Sequence, residues 1–254
     1  MTKNLKFQFK NKKLEIELSE KEVEKFSATS IFLDKGDNDW EIKNSFFDKN
    51  SLVPDIFRYV LKCSSVGVWS FLDTKKRAVD KFEIDNDSKN IPTEGSKNII
   101  LILESPHKDE YKIKDYKLVP RSPASGDSGK AIFNLFTSHV MPMLISLGLK
   151  LNESDEYNFC IVNPVPYQTS LVSIHQKGLI SSVRDKVWKV MYPELKEIFK
   201  SKLDSYKPFI ILNGCTSNLK DLLQPEINQI QNCKVFNVNH PASWQSSLSG
   251  FKIP

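Results

Sequence analysis

Residues 98–107 read NIILILESPH, an apolar run of strand length that ends abruptly in a carboxylate, a proline and a histidine. A strand apolar at successive positions is buried on both faces, the mark of a parallel sheet. Downstream, FCIV (159–162), FIIL (209–212) and VFNV (235–238) repeat the pattern, and helical periodicity fills the gaps at 128–147, 178–203 and 216–223. Strands alternating with helices pair in parallel and carry helices on both faces. Residues 97–254 are therefore predicted to form a three-layer α/β/α domain around a central, mostly parallel four-stranded sheet.

Residues 1–96 read differently, as an N-terminal α+β appendage. Leu5, Phe7 and Phe9, then Leu14, Ile16 and Leu18, alternate with polar residues across a turn-like 10–13, which predicts a hairpin. Ser51 is placed to cap a helix through Pro54, Ile56, Phe57, Val60 and Leu61, and a second helical pattern covers 69–82. The polar, turn-rich stretch 85–95 reads as the boundary.

A hydrophobic content of 40% with 26% charged residues belongs to an ordinary globular protein. No apolar stretch approaches the roughly 20 residues that span a bilayer, and the first residues lack the apolar core of a signal peptide. A cytoplasmic protein without a membrane partner is expected. Cys63, Cys160, Cys215 and Cys233 are far apart and form no C-x-x-C pair, so reduced thiols are expected, with no metal and no cofactor. The net charge of +5 is compatible with a polyanionic partner.

The four strand ends carry polar groups: Glu104-Ser105-Pro106-His107, Asn163-Pro164-Val165-Pro166-Tyr167, Asn213-Gly214-Cys215 and Asn239-His240-Pro241-Ala242-Ser243. In open parallel sheets this end of the strands holds the chemistry. Their order and content resemble the uracil-DNA glycosylase superfamily. Its members carry G-E-A-P-G or G-Q-D-P after the first strand, Asn after the second, L-G-A after the third and H-P-S or H-P-A-Y after the last. Gly126-Asp127-Ser128-Gly129 also resembles the G-x-x-G that opens the first helix of the iron-sulfur branch. The resemblance covers residues 97–254 and says nothing of 1–96.

The resemblance implies an enzyme that hydrolyses the N-glycosidic bond of a flipped-out pyrimidine in double- or single-stranded DNA, leaving an abasic site. Such cleavage builds positive charge on the sugar and negative charge on the departing base. Glu104 would orient or deprotonate the water and favour the cationic sugar, while His240 would donate a hydrogen bond to the base carbonyl. Asn163 offers a donor and an acceptor for a Watson–Crick edge, with His107, Ala124 and Tyr167 as further base-binding positions. Backbone N–H groups at Gly126, Ser128 and Gly129, with Lys130, would hold a DNA phosphate. Ser243, Trp244 and Leu248 are further DNA-binding positions after the His-Pro motif, with Trp244, Gln245 and Leu248 as the candidates to wedge into the duplex. Packing of Trp244 against 1–96 is the alternative.

Departures from the family pattern bear on the substrate. In the iron-sulfur branch an aromatic residue two positions before the first glycine stacks on uracil; here that position is Ala124. The stretch 105–125 is longer than its family counterpart and carries Lys108, Lys112, Lys114, Lys117 and Arg121. A small residue and a longer polar loop imply room for a bulky modified cytosine, hydroxymethylated or glycosylated, in preference to plain uracil. Excision of such a base from phage DNA would serve antiviral defence, whereas uracil or damaged cytosine would make the role repair. The cysteines lack the ligand spacing of the iron-sulfur branch, so no cluster is expected. His107 stands where the best-known branch has a tyrosine that blocks thymine's methyl group, and it lines the pocket or caps a turn.

Three other readings compete. Gly126-Asp127-Ser128-Gly129 matches the nucleophile segment of trypsin-like proteases, but a serine hydrolase using Ser128 with His139, His175 or His240 would lack the strand-to-helix elbow. Gly129-Lys130 resembles a phosphate loop, yet Ala131 replaces its Ser or Thr. A noncatalytic nucleotide- or DNA-binding module of the same fold is the alternative from another class. No obligate protein partner is indicated.

Overall fold

The computed structural model describes residues 2–25, 33–72, 91–92, 97–115, 117–171, 181–246 and 251–253. In chain order its elements are β1 (Lys3–Phe9), β2 (Lys12–Leu18), α1 (Glu20–Lys25), β3 (Leu33–Lys35), β4 (Asp39–Ile42), β5 (Ile56–Ser65), β6 (Val68–Leu72), β7 (Asn98–Ile102), β8 (Tyr111–Lys114) and β9 (Lys117–Pro120). There follow α2 (Asp127–Leu135), α3 (Met141–Ser146), β10 (Glu156–Val162), α4 (Ser181–Met191), α5 (Lys196–Tyr206), β11 (Pro208–Asn213), α6 (Ser217–Ile227) and β12 (Lys234–Asn237). The chain divides into two compact units. One comprises Met1–Val53, Ser105–Arg121 and Val165–Lys196, the other Pro54–Glu104, Ser122–Pro164 and Glu197–Pro254.

The second unit is an α/β fold around a six-stranded sheet of order β12-β11-β7-β10-β5-β6. The four strands read from the sequence are its parallel part: β12, β11, β7 and β10 run side by side in one direction. The sheet has two more strands than expected, because β5 pairs antiparallel with β10 and β6 with β5. These occupy 56–72, where a capped helix and the start of a second one were predicted. The physical reason lies in Arg58, a buried charged residue that interrupts the apolar run 56–61 at the point where the β5–β10 register shifts. The rest of the second predicted helix, most of the boundary 85–95, His175 and Leu248 fall outside the described residues.

All five residues of β7 are buried, so both faces of the sheet are covered. On one face Ile99, Leu101 and Leu103 join Phe159, Leu212, Ile132 and Phe136 in a continuous apolar core. The single helix predicted over 128–147 is interrupted by a π-helical turn at Phe136–Val140 between α2 and α3. Pro142, in the first turn of α3, lacks the N–H that would bond back to Ser138, which explains the break.

The first unit holds a four-stranded sheet of order β2-β1-β4-β3 and the two-stranded sheet β8-β9. The predicted hairpin is present as β1 and β2, with Leu5 facing Ile16 and Phe7 facing Leu14. Helix α4 packs on β2, and Lys186 joins the buried Glu22 at 2.8 Å. Among the described residues no helix is long and apolar enough to cross a membrane.

Candidate active site

Parallel pairing brings the C-terminal ends of four strands to one edge of the sheet in the second unit. Ile102 of β7 lies level with Val162 of β10 and Asn213 of β11, and Asn213 lies level with Asn237 of β12. The Leu103 N–H donates to Val162 O, the Gly214 N–H to Ile102 O and the Val238 N–H to Asn213 O, so the register continues past the strands themselves. Glu104, Asn163 and His240 are thereby held within a few residues of one another's strand ends.

Glu104 is buried, 7% exposed, and its Oε2 lies 3.8 Å from His240 Nε2. His240 caps the short 3-10 turn Pro241–Ser243, its Nδ1 accepting from the Ala242 N–H at 3.3 Å. With Nδ1 an acceptor, the neutral ring carries its proton on Nε2, the nitrogen turned toward Glu104. Ser243 fastens this turn, donating from both N–H and Oγ to His240 O. The two residues assigned catalytic roles are thus together, as a buried carboxylate facing a ring N–H donor.

Asn163 is also buried, and its Oδ1 accepts no hydrogen bond among the described residues. Asn213 Nδ2 and Asn237 Oδ1 are in the same condition at the ends of β11 and β12, across β7 from Asn163. Buried amide atoms without partners are rare in proteins and mark places where a polar ligand or water is received. Asn213 and Asn237 had no role in the sequence reading. The only signal they offered was an Asn inside or at the end of an otherwise apolar strand.

The Gly126–Gly129 turn opens α2, and the 3-10 turn behind His240 packs against that helix. Gly129 and Lys130 N–H groups both bond Gly126 O, so the helix has no acceptor of its own for those of Asp127 and Ser128. Gly129 is dictated by a close approach, since a Cβ there would lie 1.9 Å from Ala124 O. Lys130 is exposed and stands 4.0 Å from Asp127.

Several assigned residues are elsewhere engaged. Ala124 is 1% exposed and its methyl belongs to the apolar core, so it faces no open pocket and enlarges none. Trp244 is likewise 1% exposed and sits in that core beside Phe136, its indole N–H donating to Asn239 O at 2.8 Å. It is not presented as a wedge, and the core it joins includes Ile56, Tyr59 and Leu61 of the stretch 1–96. Hydrophobicity drove it inward, and the one polar atom found a carbonyl. Tyr167 and His107 belong to the first unit. Tyr167 packs edge-on to Phe9 and Phe47 as a core aromatic, and burial, with the Asp48 charge second, pushes its phenol up. His107 is half exposed, its Nδ1 3.4 Å from Asp109 Oδ2, and precedes a 3-10 turn without capping it through its side chain.

Compared with protein-family models, curated proteins and solved structures, the chain matches none. A surface groove of about 510 Å³ in the first unit is lined by Glu15, Glu17, Lys186 and Lys189 among others, none of them in the proposed chemistry.

Proposed function

We propose that the chain is a DNA glycosylase that hydrolyses the N-glycosidic bond of an extruded pyrimidine. The observation that carries the reading is the pairing of buried Glu104 with His240 Nε2 at 3.8 Å on the C-terminal edge of a parallel sheet, with the buried Asn163 amide on the adjacent strand. In the reaction the C1′–N bond breaks with its electron pair leaving on the base. Water oxygen bonds C1′, and its proton passes to Glu104, whose charge also favours the cationic sugar. His240 donates from Nε2 to the base carbonyl as charge collects there. Entry of the base requires the ring to turn off Glu104. His240, its side chain 26% exposed against 9% for Glu104, is the partner nearer the solvent.

Asn163 supplies the donor and acceptor that read the base edge. A bulky modified cytosine remains the proposed substrate on the length and polarity of the sequence stretch 105–125 alone, now without support from Ala124. DNA is the proposed partner and the cytoplasm the proposed location. Glu104→Gln separates this reading from a noncatalytic DNA-binding module. A glycosylase loses base release and keeps DNA binding, whereas a module binds equally before and after and never releases a base.

A further inference from the structure

We infer that Asp55, at the entry to β5, is a positioning residue for Asn163; the inference rests on the glycosylase reading. Asp55 is buried, and its Oδ1 accepts the Asn163 backbone N–H at 3.3 Å. Its Oδ2 accepts from Lys202 Nζ and from the Tyr206 hydroxyl, each at 2.9 Å. One carboxylate thus ties the end of β10, where the base-reading amide stands, to two side chains of α5.

A buried carboxylate is costly unless charge and hydrogen bonds compensate it, and here a lysine, a phenol and a backbone amide do so together. Burial first, and the Asp55 charge second, push the Tyr206 phenol and the Cys160 thiol up, so both stay neutral beside it and the phenol remains a donor. The Asn163 N–H lies one residue beyond the last residue of β10, where no ladder partner on β5 takes it: the β10–β5 register ends at Ile161 facing Ile56. Asp55 stands where the next step of that ladder would be. It substitutes a fixed charge for a backbone carbonyl and sets the height of the Asn163 amide above the sheet edge.

A second tie from the same strand has the same sense. Buried Arg58 donates to Ser122 Oγ at 2.8 Å, Ser122 Oγ is 3.0 Å from Ser125 Oγ, and Ser125 Oγ donates to Ser122 O. That chain braces the residues leading into the Gly126–Gly129 turn. The strand from the N-terminal stretch therefore supports the proposed site at two points.

The test measures base release from two competing substrates, uracil DNA and DNA with glycosylated cytosine, for wild type, Asp55→Asn and Tyr206→Phe. Amide hydrogen exchange at Asn163 is followed in the same proteins. A displacement near 1 Å at a reactive centre costs up to about a hundredfold. Asp55→Asn is expected to shrink the preference between the two bases by about tenfold or more and to speed exchange at Asn163. Tyr206→Phe is expected to do the same more weakly. A merely structural role would lower both rates in proportion and leave their ratio unchanged. Folded variants with wild-type ratio and wild-type exchange overturn the inference while leaving the glycosylase reading intact. A wild type that releases neither base overturns both.

Discussion

Gly129→Ala is the sharpest structural perturbation of the proposed phosphate turn. The added Cβ would stand 1.9 Å from Ala124 O and 3.0 Å from its carbonyl carbon. Carbon–oxygen contacts settle no closer than about 3.3 Å, so backbone must move by about 1.4 Å. The obstacle is main chain, and Ala124 already adopts a left-handed φ of 54°, a conformation that itself costs about 1–2 kcal/mol. The turn has little freedom left to absorb a shift. Overpacking costs about 1–3 kcal/mol, and a rigid obstacle puts this case near 3 kcal/mol. For a domain of this size that lowers Tm by about 6–12 °C. Thermal unfolding followed by circular dichroism measures it, with Ser128→Ala on the same turn as a control expected within about 0.5 kcal/mol of wild type. A Gly129→Ala protein melting within about 1 °C of wild type would refute the packing argument.

Three further outcomes are expected. Trp244→Ala should cost about 3–5 kcal/mol as a core truncation, while Trp244→Phe should keep DNA affinity; a large affinity loss in a stable Trp244→Phe protein would restore the wedge. For Glu22, burial works to raise the carboxyl, but hydrogen bonds from Lys186, Ser182 and Ser19 together outweigh it and hold it at about 2, below the ordinary 4.5. A lowered carboxyl contributes stability above its unfolded value and loses it as pH falls from about 4.5 through about 2. Urea titrations should show the gap between wild type and Glu22→Gln, at most about 2 kcal/mol after solvent screening, closing over that window; a constant gap contradicts it. In the β8–β9 hairpin Lys114 lies directly opposite Lys117, an unfavourable like-charge pair that DNA phosphates would relieve. Replacing both by Ala should reduce the slope of log affinity against log salt by about 1.8 if each meets one phosphate, and an unchanged slope removes the hairpin from the DNA interface.

The parallel strands were legible because burial on both faces leaves apolar runs, unbroken over 99–102 in β7, 159–162 in β10 and 209–212 in β11, and broken in β12 by Asn237. The meeting of Glu104 with His240 followed from the same fact, since parallel strands put their C-terminal ends on one edge. Strands β5 and β6 were not legible. Buried Arg58 looks like a surface residue in sequence, whereas in the fold its guanidinium meets the Ser122 hydroxyl, 64 positions away, and the Tyr59 hydroxyl beside it. The same limit hid Asp55, whose three partners lie on β10's end and α5. Trp244 and Tyr167 show the opposite limit. An aromatic beside a polar motif reads alike whether it faces a ligand or a core, and both proved to be packed against other rings. Helix α6 runs through Pro225 to Ile227, beyond the expected end at 223, because Leu219, Leu223 and Ile227 bury one continuous stripe.

Mass spectrometry of free base released from uracil DNA, ordinary genomic DNA and DNA carrying glycosylated hydroxymethylcytosine tests the central claim most directly, with wild type and Glu104→Gln run in parallel. The account predicts a modified cytosine base released by wild type, an abasic site left behind, and release abolished in Glu104→Gln with DNA binding retained. Binding by both proteins without release of any base would contradict it.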